Sequence, residues 1–278
     1  MKYKRESVSF QGERGAYSEE AIISFFNSDV IVSPYTTLFD TFESVKKKNV
    51  DFAVVPIENS LEGSVNETYD LLLSTDLKVQ GEIILRIQHS LIARPEIKIG
   101  NIRTVYSHPQ ALAQCRKFLR NLGVTPVATY DTAGSVKIIR EKKSNGIAAI
   151  ASTRAASIYG MNVLKEGIED NSSNYTRFFI LSLENVPPTG NDKTSIVFSA
   201  QHLPGALFAT LKEFADKEIN LTKIESRPTR KKPWEYNFYL DFEGHREDEK
   251  CKAALMFLKK KHMLTKVLGS YPKMTKIK

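Results

Sequence analysis

The sequence predicts an α/β protein of two domains: a mostly parallel α/β domain, then a smaller βαββαβ domain. Three observations carry this. From the start to about residue 185, β-rich runs alternate with helical periodicities, which is the pattern of an open, mostly parallel sheet with helices on both faces. The stretch NVPPTGND at 185–192 then breaks both periodicities, as Pro and Gly do in linkers. Beyond it, strand, helix, strand, strand, helix and strand follow in order. A chain of 278 residues is also about two domains long at the usual ~150 residues each. The boundaries expected are 1–185, a linker at 186–193, and 194–278.

Taken in order, the first-domain strands are SVSFQ (7–11), DFAVVPI (51–57), TVYS (104–107), TPVATY (125–130), GIAAIA (146–151) and YTRFFILSL (175–183). Helical patterns lie between them: SEEAIISFF, TLFDTFESVKK, VNETYDLLL, QALAQCRKFLRNLG, TAGSVKIIREKK and STRAASIYG. In QALAQCRKFLRNLG the residues Leu112, Cys115, Leu119 and Leu122 recur at the 3–4 spacing of one buried face, and Gly123 closes the helix. In the second domain TSIVFSA is a strand, and LPGALFATLKEFADKE is a helix that buries Leu207, Leu211, Phe214 and Ala215. NLTKIESRP and YNFYLDFEGH are strands, the latter alternating Phe238, Leu240 and Phe242. REDEKCKAALMFLKKKH places acids at its start and lysines at its end, complementing the helix dipole, and LTKVLGSYP is the last strand. The order is the ferredoxin-like split pattern.

Composition narrows the function. Hydrophobic residues are 41% and charged residues 26%, the composition of a folded globular chain. No apolar run nears the ~18 residues of a membrane span, and MKYKRESVSFQG has no apolar core behind its basic residues, so neither signal peptide nor anchor is expected and the location expected is cytoplasmic. Cys115 and Cys251 lack CxxC partners, and His89, His108, His202, His245 and His262 show no HxH or HxxxH spacing, so no metal is expected. The net charge of +8 is uneven: residues 1–100 carry 11 basic and 15 acidic side chains, 101–150 carry 8 and 2, and 251–278 carry 8 and 0. The basic tail has too few interleaved aromatics for a nucleic-acid face, and the central stretch suits attraction of a small anion.

In open α/β sheets ligands sit beyond the carboxyl ends of strands, where helix N-termini point outward. Strand 7–11 runs into GERGAYS, where Ser18 can cap the next helix. Strand 51–57 runs into Glu58, Asn59 and Ser60; strand 104–107 into Ser107, His108, Gln110 and Gln114; and strand 146–151 into Ser152 and Thr153. Any one junction reads as caps and turns. Four at the same end of one sheet suit a small carboxylated molecule. GERG is too short for a dinucleotide fingerprint, and neither GxxxxGK[ST] nor GxSxG occurs. In NSSNYTRFF, Thr176 and Arg177 open a strong strand and face opposite ways. A threonine there is ordinarily a β-former and an arginine ordinarily snorkels, so the residues alone make them candidates.

GERGAYS, VVPIENSLEGSVNETYDLL, SHPQALAQC, NYTRF, GALFATLKEFADKEINLTKIESRP and WEYNFYLDFEGH, in this order, resemble prephenate dehydratase over nearly the whole chain. The resemblance implies a two-lobed catalytic domain like that of periplasmic binding proteins, followed by an ACT domain that senses phenylalanine. It implies a lyase that converts prephenate to phenylpyruvate in phenylalanine biosynthesis, without cofactor. It further implies a monofunctional enzyme, since neither chorismate mutase helices nor a dehydrogenase unit is attached. Thr176 is the residue that the family's TRF motif marks as essential, with Glu58 and Asn59 beside it in catalysis. Glu58 is expected either to supply the proton, if burial raises its pKa, or to hold a structural hydrogen bond. Ser18, Ser60, Ser107 and Gln114 would orient substrate oxygens, and Arg177 would pair a carboxylate or brace the loop. Gly205, Ala206 and Leu207, with Asn220, Leu221, Thr222, Glu225, Ser226, Arg227 and Pro228, match the effector site, which in the family forms between chains. A homo-oligomer, dimer or tetramer, is therefore implied, with no nucleic-acid or membrane partner. The family's common first loop is GPxGTFS; here Glu13, Ala16 and Tyr17 replace Pro, Thr and Phe, which resembles relatives that accept arogenate. An arogenate dehydratase and a non-catalytic amino-acid sensor are the alternatives.

Overall fold

The structure, a computed structural model, describes residues 5–27, 29–142, 144–200, 203–230, 234–262 and 264–274. Residues 1–4 of the basic N-terminus, His202 and the tail end at 275–278 lie outside the described residues. The first part runs β1 (Ser7–Gln11), α1 (Tyr17–Phe26), β2 (Ile31–Tyr35), α2 (Leu38–Lys46), β3 (Phe52–Asn59), β4 (Gly63–Ser64), α3 (Asn66–Ser74), β5 (Lys78–Arg86), β6 (Ser90–Ala93), β7 (Thr104–Ser107), α4 (Pro109–Gln114), α5 (Arg116–Leu122), β8 (Thr125–Ala128), α6 (Thr132–Glu141), β9 (Ile147–Ala151), α7 (Thr153–Tyr159), β10 (Asn162–Glu166) and β11 (Tyr175–Ser182).

These strands form two sheets where the alternation suggested one. The first has the order β2-β1-β3-β11-β5 with β4 on β3, and the second has the order β10-β6-β9-β7-β8. Both have a parallel centre, β1 with β2 and β3, and β7 with β8 and β9. In the second sheet β6 and β10 are antiparallel additions. Alternation along β9 is absent because all five of its residues are buried, as in a strand covered on both faces. Pro34 sits in β2, an edge strand, where a missing N–H is tolerated.

The helix expected over 110–123 is two helices. Cys115 (φ −114°, ψ 23°) ends α4 and starts α5. Asp170 is the wedge: its N–H donates to the Gln114 carbonyl at 2.7 Å, and its carboxylate accepts from the Lys117 N–H at 3.1 and 3.2 Å. Those bonds replace intrahelical ones, so the chain turns at Cys115. Gly123 ends α5 in the left-handed conformation (φ 68°). Around this break Leu91, Val105, Ala111, Cys115, Leu119 and Ile150 form one core.

The remaining elements are β12 (Asp192–Ser199), α8 (Ala206–Asp216), β13 (Leu221–Pro228), β14 (Tyr236–Glu243), α9 (Glu249–Lys261) and β15 (Thr265–Pro272). Their sheet is antiparallel in the order β13-β14-β12-β15, the ferredoxin-like arrangement. The strand β12 begins at Asp192, within the stretch read as linker. Ile196, Phe198, Phe214, Leu240, Phe242 and Leu258 are the core. Leu207 and Leu211 pack against it, whereas Ala215, expected to be buried, is exposed and Thr210 is buried in α8 instead.

By contacts the chain divides into two compact units, residues up to 68 with 83–178, and 69–82 with 179 onward. The second unit therefore owns a segment from the first half of the sequence. Tyr239 donates from its hydroxyl to the Tyr69 carbonyl at 3.0 Å, with the two rings 4.5 Å apart. The Lys266 ammonium caps the C-terminus of α3 through the carbonyls of Leu72 (3.0 Å), Leu73 (2.9 Å) and Thr75. The buried pair Lys193–Glu82, at 2.9 Å, fixes the far end of the segment.

Candidate active site

The first unit contains a cavity of about 490 Å³. Three of the four expected junctions line it, and they come from both sheets: those after β1 and β3 in the first and after β7 in the second, whereas Ser152 and Thr153, after β9, are not among its lining residues. The two sheets meet at the loop after β1. The hydroxyl of Ser152, the N-cap of α7, donates to the Gly15 carbonyl at 2.6 Å and accepts from the Ala155 N–H at 3.0 Å. Gly15 has φ +89°, and a Cβ there would lie 2.6 Å from the Ala155 Cα. Only glycine fits this crossing.

Glu19 secures the same loop. Its fully buried carboxylate accepts from the Gly15 N–H at 2.6 Å, from Arg14 at 3.1 Å and from Arg154 at 2.9 Å. Burial alone would raise this carboxyl, but the bonds from Arg14, Gly15 and Arg154 outweigh it and hold it below its usual value. Glu13 reaches across as well, accepting from Tyr130 Oη at 3.2 Å and Lys137 Nζ at 3.3 Å. The cap of α1 is Ala16, without a side-chain bond, so Ser18 is not the cap the sequence suggested; it lies in the first turn and lines the cavity.

Thr176 and Asn59 face the cavity from neighbouring strands. Asn59 Oδ1 accepts from the N–H groups of Leu61 (2.9 Å) and Glu62 (3.0 Å). Its Nδ2 therefore points the other way, donating to Asn174 Oδ1 at 2.7 Å, the Tyr175 carbonyl at 3.1 Å and Thr176 Oγ1 at 3.0 Å. With its oxygen so engaged, the Thr176 hydroxyl keeps its proton for a guest in the cavity. Gln114, also lining the cavity, accepts at Oε1 from Asn174 Nδ2 at 2.9 Å.

The other expected site residues are placed differently. Glu58 is half-buried, in register with Ser64 of β4, and is not among the lining residues. Ser107 is buried and donates to the Ile150 carbonyl at 2.7 Å, bracing β7 against β9. Ser60 donates to the Ser173 carbonyl and accepts from the Tyr175 N–H, both at 2.9 Å, which pins the turn before Thr176. Arg177, next to Thr176 on the strand, is not among the lining residues.

His108 and Gln110, expected at the junction after strand 104–107, also line the wall, and Glu62, Glu67, His89 and Asp131, which sequence reasoning passed over as site residues, complete it. Asp131 caps α6, accepting from the Gly134 N–H at 2.7 Å, and burial raises its carboxyl above the usual value. The sequence signal for it was the cap position before TAGSVKII. Among the described residues no group of three or more His, Cys, Asp or Glu is arranged to hold a metal ion, and no helix is long and apolar enough to cross a membrane. Burial pushes up both thiols, that of Cys251 to about 11.

In the second unit a cavity of about 380 Å³ is lined by Ala200, Leu203, Pro204, Leu207, Trp234 and Tyr236, among others. Of the expected effector residues Leu207 lies there. Gly205 (φ 78°) and Ala206 start α8. Asn220 precedes the edge strand β13, which carries Leu221, Thr222, Glu225, Ser226, Arg227 and Pro228. Thr222, Ser226 and Pro228 are exposed, and Lys223 pairs Glu225 at 3.4 Å. The Arg227 guanidinium is taken up by Asp70 at 3.1 Å and lies 6.0 Å from the Tyr69 ring.

Comparison with known proteins agrees with this geometry. A chloroplastic arogenate dehydratase/prephenate dehydratase of Arabidopsis thaliana is 46% identical over 96% of this chain and 73% of its own length. The prephenate dehydratase of Methanocaldococcus jannaschii is 42% identical over 96% and 98%. Among solved structures, the prephenate dehydratase of Arthrobacter aurescens in complex with L-Phe matches with TM-score 0.88 and 34% identity, covering 96% of this chain and 90% of that one. GqqA, a quorum quenching acylase, matches with TM-score 0.90 and 32% identity, covering 97% and 98%. The prephenate dehydratase profile matches residues 8–186 and the ACT domain profile residues 194–258; with two thirds of its length and its cavity inside the first of these spans, the chain belongs to the prephenate dehydratase family.

Proposed function

We propose that this chain is a lyase that converts prephenate to phenylpyruvate, with an ACT domain that binds phenylalanine and feeds back on the reaction. The observation that carries the reading is the Thr176 hydroxyl, which lines the cavity and whose oxygen accepts from Asn59 Nδ2 at 3.0 Å. The ring carboxylate leaves as carbon dioxide and its bonding pair enters the ring. The carbon–oxygen bond at the opposite ring carbon breaks, and the hydroxyl departs with that pair and one proton as water. Aromatisation supplies the driving force and no net oxidation occurs. The protein has to orient the substrate, assist the departing hydroxyl and keep the ring carboxylate poorly solvated. Thr176 hydrogen-bonds the leaving hydroxyl, Asn59 orients Thr176, and Ser18 and Gln114 bind substrate oxygens. Ser60 acts through the turn it pins.

Residues 1–185 are the catalytic domain, 186–193 the linker and 194–278 the regulatory domain, boundaries in line with the two profile spans. Effector binding at Gly205–Leu207 and along β13 favours one global conformation over the other. The enzyme acts in the cytoplasm as a dimer or tetramer. A second reading, dehydration of arogenate, is favoured by Ala16: it lines the cavity where the common family loop has a threonine hydroxyl. The test is product formation from prephenate and from arogenate in parallel, with and without phenylalanine. Phenylpyruvate formation suppressed by phenylalanine supports the proposal. Turnover of arogenate alone selects the second reading. No turnover of either, with phenylalanine still bound, leaves a sensor and refutes both.

A further inference from the structure

We propose that Tyr17 and His89, through the tautomer of His89, are positioning residues that fix the Thr176 hydroxyl for the reaction. The inference rests on the dehydratase reading above. It follows from a chain of hydrogen bonds in which each orientation forces the next.

Asn59 starts it, because two backbone N–H groups occupy its Oδ1 and leave only Nδ2 for Asn174 and Thr176. Asn174 must then present Oδ1 to Asn59 and Nδ2 to Gln114. Gln114 Oε1, already accepting from Asn174, lies 2.9 Å from His89 Nε2, so that nitrogen carries a hydrogen. His89 is 2% exposed, and burial lowers its pKa against the opposing effects of Gln114 and Glu169, so the ring is neutral and Nδ1 is bare. The Tyr17 hydroxyl lies 2.8 Å from Nδ1 and donates there, sharing its proton with the Gln88 carbonyl at 2.9 Å. Burial, then the charge of Glu20, pushes the Tyr17 phenol well above its usual value, so it remains a donor.

Read backwards, the chain shows what the phenol does. Without it, Nδ1 loses its donor and the Nε2–H tautomer loses its advantage. The other tautomer turns a bare Nε2 toward Gln114 Oε1, acceptor against acceptor. Gln114 then has to rotate, Asn174 with it, and the conflict ends at Asn59, whose amide cannot rotate. The bond broken is the one from Asn59 to Asn174, and Asn59 loses the brace that holds its amide against the Thr176 hydroxyl. The Tyr17 ring packs edge-on against His89 at 5.6 Å, so Tyr17→Phe removes the proton and keeps the packing.

The experiment combines kinetics on prephenate and arogenate with ¹⁵N NMR of the histidine side chains, and His89→Gln identifies the His89 signals. The wild type should show Nε2 protonated and Nδ1 as an acceptor. Tyr17→Phe should disturb that signature and lower kcat about tenfold with KM nearly unchanged, the size of a lost buried hydrogen bond. His89→Ala should lose more. His89→Gln, whose amide can place an N–H where Nε2–H sits, should recover kcat to near the Tyr17→Phe level. An unchanged kcat in Tyr17→Phe, an Nδ1–H tautomer in the wild type, or equal losses in His89→Ala and His89→Gln would overturn the proposal. A wild type inert toward both substrates takes down the dehydratase reading, and this one with it.

Discussion

Replacing Gly15 by alanine tests the crossing on which the cavity is built. Two costs can be worked from the geometry. At φ +89° an L-residue is strained by roughly 1–2 kcal/mol. The new Cβ would sit 2.6 Å from the Ala155 Cα, 2.9 Å from its Cβ and 3.1 Å from its N, and backbone cannot rotate away as a side chain can. Forcing such an overlap costs about 1–3 kcal/mol. Together the destabilisation is about 2–5 kcal/mol, toward the upper end if the loop's movement also breaks the Ser152 and Glu19 bonds to Gly15. The assay is urea unfolding followed by far-UV circular dichroism, because the single tryptophan, Trp234, belongs to the other unit. Prying the loop from α7 also displaces Ala16, Tyr17 and Ser18 in the cavity wall, so KM should rise. A loss below about 1 kcal/mol with unchanged kinetics would refute the claim that this contact joins the two sheets.

Three further outcomes are expected. Thr176→Ala should lower kcat by roughly 10²–10³, the usual size for one lost transition-state donor, while Thr176→Ser should retain most of it; steady-state kinetics decides, and equal losses would put the methyl, not the hydroxyl, in charge. Glu19 has a folded pKa below its ordinary 4.5, so its stabilisation is present above that pH and is lost as pH falls through the folded value. Glu19→Gln should therefore be less stable at neutral pH by roughly 2 kcal/mol, reduced from the usual buried-pair loss because Arg14 and Arg154 reach water, and should show a flatter acid limb in pH-dependent melts. Ala16→Thr should raise the preference for prephenate over arogenate by about threefold or more, within the range that one pocket contact commands; an unmoved kcat/KM ratio would show that this position does not set the preference.

Much of the fold was legible because its signals are local. The split order of the second domain, the Gly123 cap and the apolar face of α5 all follow from neighbours in sequence. What was not legible depends on distant partners. Nothing in QALAQCRKFLRNLG announces that Asp170 will interrupt it, and the strand at Ile31–Tyr35 contains a proline that only an edge position excuses. The site divides along the same line. Small polar residues after strands pointed to the correct loops, and Asn59, Gln114, Ser18 and Thr176 do reach the cavity. Ser60 and Ser107, of the same residue types, turn to backbone carbonyls instead, because where a side chain points is decided by strands far away in sequence. Tyr17 and His89, 72 residues apart, gave no joint signal.

The segment 69–82 has a consequence for how the chain is made. Two of its partners in the finished protein, Tyr239 for Tyr69 and Lys266 for Leu72, lie 170 and 194 residues downstream. At ~5–20 residues per second on the ribosome, those partners emerge about 10–40 s after the segment does. During that interval Leu72, Leu77 and Val79, all but inaccessible in the native protein, stay in contact with solvent or with whatever chaperone meets the nascent chain. The N-terminal half cannot be completed first and the regulatory half added later, so synthesis arrested anywhere before β15 leaves an apolar helix uncapped.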